Sequence, residues 1–308
     1  MSGDANGDRR NNSTDIDHDN IKYPLVDIGP NLCLDDFRDD LEQVLQSSKL
    51  AGVCHLILTT LNEESAKRNL EIIHTFQSRD DVPKMSMTIG CHPGHMASFR
   101  GMEYFRQFLL DPETRQHVVA IGETGLDDTK SDFDMQISVF EQHLELASEF
   151  NLPLFLHERK SHVLFLDMLK MYIHKLHAGG VVHCFNGSAA TLKSYIDLGL
   201  YIGITGVITQ SRMGKHLREI MHKIPLDRLL IETDCPSLAP NQVTKRTKNI
   251  VYYGQGKVRN EPRFLCHVSN ALNRLLFPDD LTETDDANYN QIATITTANA
   301  LRLFQIKV

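Results

Sequence analysis

Short apolar runs recur along the chain, each closed by polar, Gly or Pro residues and followed by a segment of helical period. They are Leu25–Gly29, Val53–Thr59, Met85–Gly90, Val118–Glu123, Leu154–His157, Val181–Phe185, Leu200–Thr205 and Leu229–Thr233. Several are almost wholly apolar (VVAIG, PLFLH, GVVHCF, LYIGITG, LLIET) and do not alternate. A strand reads that way when helices cover one face of a parallel sheet and a packed interior covers the other. Between the runs, Glu63–Gln77, Met135–Phe150 and Ala189–Leu198 carry amphipathic helical spacing. The closing TTANALRLFQI reads as a last helix, with Ala298, Leu301, Leu303 and Phe304 available for packing. Eight strand–helix units predict a closed (β/α)8 barrel. An open doubly wound sheet shares the alternation, but eight is the number at which a barrel closes. Residues Pro236–Pro262 show neither period and predict a long loop after the eighth strand, a length that in compact domains is functional or disordered.

In such a barrel the chemistry comes from the C-terminal ends of strands. The ends here read VDIGPN, TIGCHP, AIGETG, LFLHER, VVHCF and IETDCP. They deliver Asp27 and Asn31, His92, Glu123, His157, His183, and Asp234 with Glu232 to one mouth. Each has an ordinary alternative: His92 as a satisfied loop residue, Glu123 in a buried pair with an Arg, Asp234 capping a turn. The coincidence of histidines and carboxylates at successive strand ends predicts a mixed nitrogen and oxygen metal site, suited to Zn²⁺, Mn²⁺ or Mg²⁺.

Composition narrows the setting. Hydrophobic residues make up 41% of 308, enough for a sizeable core. No apolar run approaches the roughly 20 residues of a membrane span. Residues 1–22 are polar, lack the apolar stretch of a secretory signal, and read as a disordered tail ahead of one domain over 23–308. The six cysteines form no C-x-x-C pair, which fits a reducing intracellular compartment, cytoplasm or nucleus, better than secretion. Cys91, Cys184 and Cys235 sit beside candidate site residues. If His183 faces the mouth, alternation turns Cys184 towards the helices, so all three read as packing residues and thiol catalysis is disfavoured. The formal charge of -8 gives no broad attraction for nucleic acid, so such a substrate needs local basic residues or metal ions.

At these residues the chain resembles the TatD-like metal-dependent hydrolases of the amidohydrolase superfamily. VDIGPNL, IGCHP, AIGETGLD, PLFLHER, VVHCFNGS, YIGITG, LLIETDCP, RNEP and TTANALRLF follow in order over roughly residues 25–305. The resemblance implies a distorted TIM barrel and a divalent-metal-dependent DNase with exonuclease activity on DNA and sometimes RNA. It implies Glu123, His157, His183 and Asp234 as metal ligands, with Glu123 bridging two ions and Asp234 a ligand or the base for water. It also implies His92 near the metals or the substrate phosphate, Arg159 on phosphate, and Asn260 and Glu261 in a segment closing the site. One departure stands out. Many members open with D-x-H-x-H, whose histidines hold the first metal, whereas this chain has Gly29 and Asn31, as in a D-I-G-x-N-L branch. Replacing imidazole by hard oxygen favours Mg²⁺ or Mn²⁺ over Zn²⁺ and a weakly held ion.

Two ions roughly 4 Å apart can activate water and neutralise a phosphodiester. Arg159 either clamps phosphate or pairs with Glu158. The long loop holds Lys245, Arg246, Lys248, Lys257 and Arg259 around Tyr252 and Tyr253. Basic residues that track a backbone, with aromatics to stack bases, suit single-stranded ends. The bland reading of that loop is a solvated surface. Two rivals remain at this stage. One is an amidohydrolase-type enzyme acting on a small ester, amide or phosphate, although Glu123 stands where many such enzymes carry a carboxylated Lys. The other is a non-catalytic scaffold. Protein partners are not legible in the sequence.

Overall fold

The computed structural model describes residues 23–243, 247, 249–278 and 290–307. The expected tail over 1–22 lies outside them, as do Lys245, Arg246 and Lys248. Eight parallel strands follow one another in chain order around a single sheet. They are β1 (Leu25–Asp27), β2 (Val53–Leu58), β3 (Lys84–Ile89), β4 (Val118–Asp127), β5 (Leu154–Arg159), β6 (Gly180–Val182), β7 (Tyr201–Ile204) and β8 (Leu229–Ile231). The helices are α1 (Leu41–Leu50), α2 (Glu63–Phe76), α3 (Glu103–Leu110), α4 (Pro112–Arg115), α5 (Phe133–Phe150), α6 (His162–Tyr172), α7 (Ala189–Asp197), α8 (Lys215–Ile220), α9 (Leu265–Leu276) and α10 (Gln291–Phe304). This is the expected (β/α)8 barrel, with all eight strands where the apolar runs predicted them.

The absence of alternation in these strands has a packing cause. Leu56 and Leu58 enter the large core beneath the helices while Ile57 enters a smaller inner one. Leu154 and Leu156 divide from Phe155 in the same way, and Leu229 and Ile231 from Leu230. Both faces are apolar because both are buried. Helix starts follow local chemistry. Asn62 caps α2 by accepting from Ser65 N–H, and the Ser65 hydroxyl accepts the Asn62 N–H in return, a reciprocal capping box.

The barrel is closed unevenly. Ladder pairing runs from β1 through β8, and β8 is joined to β1 by side chains. The buried Asp27 carboxylate accepts the Thr233 N–H at 2.9 Å and the Thr233 hydroxyl. Beyond it, Asn31 N–H donates to Cys235 O at 3.1 Å. Outside the seam, α10 packs on both strands, with Asn299 donating to Leu226 O and Leu229 O and Thr297 to Pro24 O.

Two expectations need correction. Pro236–Pro262 is not unstructured throughout: Tyr252–Tyr253 and Lys257–Val258 pair as a short antiparallel hairpin, β9 and β10. Runs of two residues are too short to show a period of two. Cys184 does not turn towards the helices. Strand β6 ends at Val182, and Cys184 takes a left-handed φ of 48° and lines the mouth, so strand alternation does not govern it.

One buried histidine anchors the loop that carries His92. His143 on α5 donates from Nδ1 to Val139 O at 2.7 Å and accepts the Cys91 N–H at Nε2, 3.0 Å away. That pattern requires neutral imidazole, and burial lowers its pKa from 6.5 to about 4. The stability it contributes is fully present above pH 6.5 and is lost as pH falls through about 4. In urea titrations, the advantage of wild type over His143→Gln should therefore shrink across this window, by up to about 3 kcal/mol.

Candidate metal centre

Four strand ends bring their side chains to one point at the C-terminal mouth. β4 carries Glu123, whose N–H is fixed by Thr60 O at 2.9 Å. Pairing of β4 with β5 sets His157 opposite Gly125. His183 follows β6, held by its N–H on Leu156 O at 3.0 Å, and His92 follows β3. Glu123 Oε1 lies 2.7 Å from His183 Nε2, 2.8 Å from His157 Nδ1 and 3.5 Å from His92 Nε2. Ligand atoms of His92, Glu123 and His157 all lie within 4.8 Å of one another. His92 thus joins the cluster itself, where the sequence placed it only near the metals or the phosphate.

Asp234 approaches from β8 with a left-handed φ of 51°. Its Oδ1 accepts from Asn31 Nδ2 at 3.1 Å, and the same amide nitrogen donates to Cys235 O. Asn31 Oδ1 is left buried without a partner. Both Asn31 and Asp234 line the cavity above the cluster, a space of about 920 Å³ that His92, Glu123, His157 and His183 also line.

The electrostatics are those of charge held out of water. Burial alone would push the Glu123 carboxyl up, but His183, His92 and His157 around it hold it well below the usual carboxylate range. Burial opposes a charged His183, and Glu123 and Glu232 outweigh it, so that imidazole titrates well above its usual value. His92 goes the other way, to about 4, because burial outweighs Glu123. Burial raises Asp234 to about 7. The residues present fit a divalent cation. They are a mixed imidazole and carboxylate set, and Asn31 Oδ1 beside them is a buried polar atom without a partner.

The cavity rim is divided. At the end of β5, Arg159 and the following Lys160 line it, exposed and without an ion pair among the described residues. Arg159 does not pair with Glu158, whose Oε1 accepts from Ser161 N–H at 2.8 Å and whose Oε2 accepts from the Tyr195 hydroxyl at 3.0 Å. The loops after β6, β7 and β8 bring Phe185, Val207, Met213, Leu238 and, from the hairpin, Tyr253. Met213 is 52% exposed there. Strand-end reasoning missed this apolar arc because it looked only for polar residues.

Asn260 and Glu261 are not brought to the mouth. Both are buried: Asn260 Nδ2 donates to Thr233 O at 2.9 Å, its Oδ1 accepts the Glu261 N–H, and Glu261 pairs with Arg259 and Arg263. Arg259 is not a surface base either. It is 2% exposed, forked onto Asp40 at 2.9 and 2.6 Å, and stacked on Phe37. These residues clamp the β8 loop that carries Asp234. Of the basic residues named in the long loop, Lys257 is exposed on the hairpin. Cys91 and Cys235 are buried, and burial pushes the Cys91 thiol up to about 12 and raises that of Cys184 well above its usual value, so neither Cys91 nor Cys184 offers a thiolate.

A profile of the family described as TatD related DNase matches residues 26–305. A protein of Erwinia tasmaniensis named 3'-5' ssDNA/RNA exonuclease TatD is 36% identical over 286 residues, covering 92% of this chain and 100% of its own. Among solved structures, the YJJV TatD homolog from Escherichia coli superposes with a TM-score of 0.76 at 29% identity, over 92% of this chain and 98% of its own. A TatD family hydrolase from Entamoeba histolytica gives 0.76 at 27%, with the same coverage.

The clamp is open to test. Asn260→Ala should strip the partners of Thr233 O and Glu261 N–H and lower stability by about 1–3 kcal/mol in urea titration. A residue that only touched substrate would leave the midpoint unchanged.

Proposed function

The chain belongs to the TatD related DNase family, and from that premise we propose that it is a divalent-metal-dependent exodeoxyribonuclease that trims single-stranded ends, with RNA as a secondary substrate. The observation that carries the reading is Glu123 Oε1, buried among His92, His157 and His183 at the floor of a cavity whose rim holds unpaired Arg159 and Lys160. Glu123, His157, His183 and Asp234 would hold the metal, with His92 beside them. The metal is Mg²⁺ by preference, with Mn²⁺ or Zn²⁺ as alternatives, in one or two positions. Hard oxygen supports that order, since Gly29 offers no side chain and Asn31 an unpaired amide oxygen. When bound, such an ion supplies Lewis-acid neutralisation of a phosphodiester and lowers the proton affinity of water at the site.

The chain's own groups do the rest. Asp234, lifted towards neutrality by burial, receives the proton of the attacking water, and Asn31 Nδ2 fixes the carboxylate for it. Arg159 and Lys160 hold phosphate oxygens by charge-assisted hydrogen bonds. Phe185, Met213, Leu238 and Tyr253 give an unpaired base an apolar face to stack on, which a base inside a duplex does not need. Cations at one loop of an acidic chain suit a few phosphates at a strand end better than a long duplex. Six free cysteines support work in a reducing intracellular compartment.

Labelled single- and double-stranded oligonucleotides test this. The protein should shorten single strands from one end, stop when EDTA removes metal, and resume with Mg²⁺ or Mn²⁺. Glu123→Ala should abolish metal-dependent turnover, and Asp234→Asn should lower kcat by ~10²–10⁴-fold. No cleavage with Mg²⁺, Mn²⁺ or Co²⁺ would overturn the assignment. Arg159→Ala and Lys160→Ala should each raise KM and flatten the dependence of log(kcat/KM) on log[salt] by about 0.7.

A further inference from the structure

Among the described residues, four of the buried polar atoms at the metal centre that lack a hydrogen-bond partner face one another in two pairs. His157 Nε2 lies 3.6 Å from Asp127 Oδ2, and His183 Nδ1 lies 3.5 Å from Glu232 Oε2. The opposite nitrogen of each ring meets Glu123 Oε1, at 2.8 and 2.7 Å. Each imidazole is therefore strung between one shared carboxylate and one of its own. Neither outer carboxylate is free to wander. Asp127 Oδ1 is held by the Thr129 N–H and hydroxyl, and Glu232 Oε1 by the Cys184 N–H. Both side chains are fully buried.

Glu232 reaches its position only because two residues have no side chain. A Cβ on Gly29 would sit 2.4 Å from Glu232 Oε2, and one on Gly203 would sit 2.5 Å from Oε1. A fixed, buried carboxylate with its free oxygen aimed at one imidazole nitrogen does a definite job. It takes that nitrogen's N–H, leaves the lone pair on the other nitrogen, and fixes the plane of the ring. The bland reading, a packing accident, does not account for both histidines having the same arrangement.

We infer that Asp127 and Glu232 are positioning residues: Asp127 holds His157 with Nδ1 presented to the centre, and Glu232 holds His183 with Nε2 presented to it. This rests on the metal-centre reading above. The two rings are presented through different nitrogens, so the outer N–H falls on Nε2 of His157 and on Nδ1 of His183.

The test uses the full chain. Calorimetric titration with Mn²⁺ compares wild type with Asp127→Asn and Glu232→Gln. An amide can offer its N–H to the imidazole and turn the ring's own proton towards the centre, so each variant should bind Mn²⁺ about 10–100-fold more weakly. KM for a single-stranded oligonucleotide at saturating metal should be unchanged. Nitrogen-15 NMR of the Zn²⁺-loaded wild type should show N–H at Nε2 of His157 and Nδ1 of His183. Variants that bind Mn²⁺ as tightly as wild type, or the reverse tautomers, would overturn the proposal. A wild type that binds no metal overturns the metal centre as well. If Glu232→Gln fails to fold, Gly29→Ala serves. It keeps every candidate ligand but drives Glu232 off His183, so weaker Mn²⁺ binding supports the role and unchanged binding refutes it. For Asp127 the wild-type NMR result stands without a variant.

Discussion

Glu123 is a carboxylate taken out of water, and a charge so placed has to be met by positive charge or by several donors. The chain answers with imidazoles from three other strands, which can meet at one oxygen only if β3, β4, β5 and β6 lie side by side in a curved sheet. The answer is incomplete. Asp27, Glu123, Asp127, Glu232 and Asp234 gather at the same end of the barrel against His92, His157 and His183. One of those histidines is driven towards neutrality by burial, while Asp27 and Asp234 are pushed up to about 7. A divalent cation held there would supply the positive charge the imidazoles do not. On the reading proposed above, a cation at this site makes an acidic protein compatible with a polyanionic substrate.

The seam between β1 and β8 is the second place where fold and site depend on each other. A ladder there would have used the backbone groups of both strands. Instead Asp27 ties down Thr233, and Asn31 ties down Cys235 and Asp234. Asp234 thus owes its position to side chains of β1 and to the Asn260 clamp beneath the β8 loop. Its left-handed backbone turns the chain out of the barrel at this point, and the loop that follows brings Leu238 and Tyr253 to the rim.

Much of this was legible in the sequence, and the failures have physical causes. The strands were visible because burial on both faces writes itself as continuous apolar runs, and the polar residue ending each run marked the mouth. Periodicity failed wherever the backbone left the regular ladder. It placed Cys184 on the wrong face, missed the hairpin at Tyr252–Tyr253, and took Arg259 for a surface base. Arg259 is buried by partners more than 200 residues away in the chain, and nothing local records that. Asp127 was within reach of the sequence: counting by twos from Glu123 along β4 passes Gly125 and arrives at it. Its significance depends on a ring nitrogen of His157, which only the pairing of β4 with β5 brings near.

The missing first-strand histidines take on a different meaning in three dimensions. From the sequence, Gly29 is a loss, a position where a ligand has been deleted and a metal weakened. In the folded chain the space over Gly29 is filled by the carboxylate of Glu232, seven strands away in sequence but adjacent across the seam. The absence of a Cβ at Gly29 and Gly203 is a condition for that carboxylate to reach His183 at all. An imidazole restored at Gly29 would have to expel Glu232, so the change at the first strand and the acid on the last belong to one arrangement and can be exchanged only together. In this chain the carboxylate of Glu232 stands where a side chain at Gly29 would begin, and an oxygen donor there suits the hard cation proposed above.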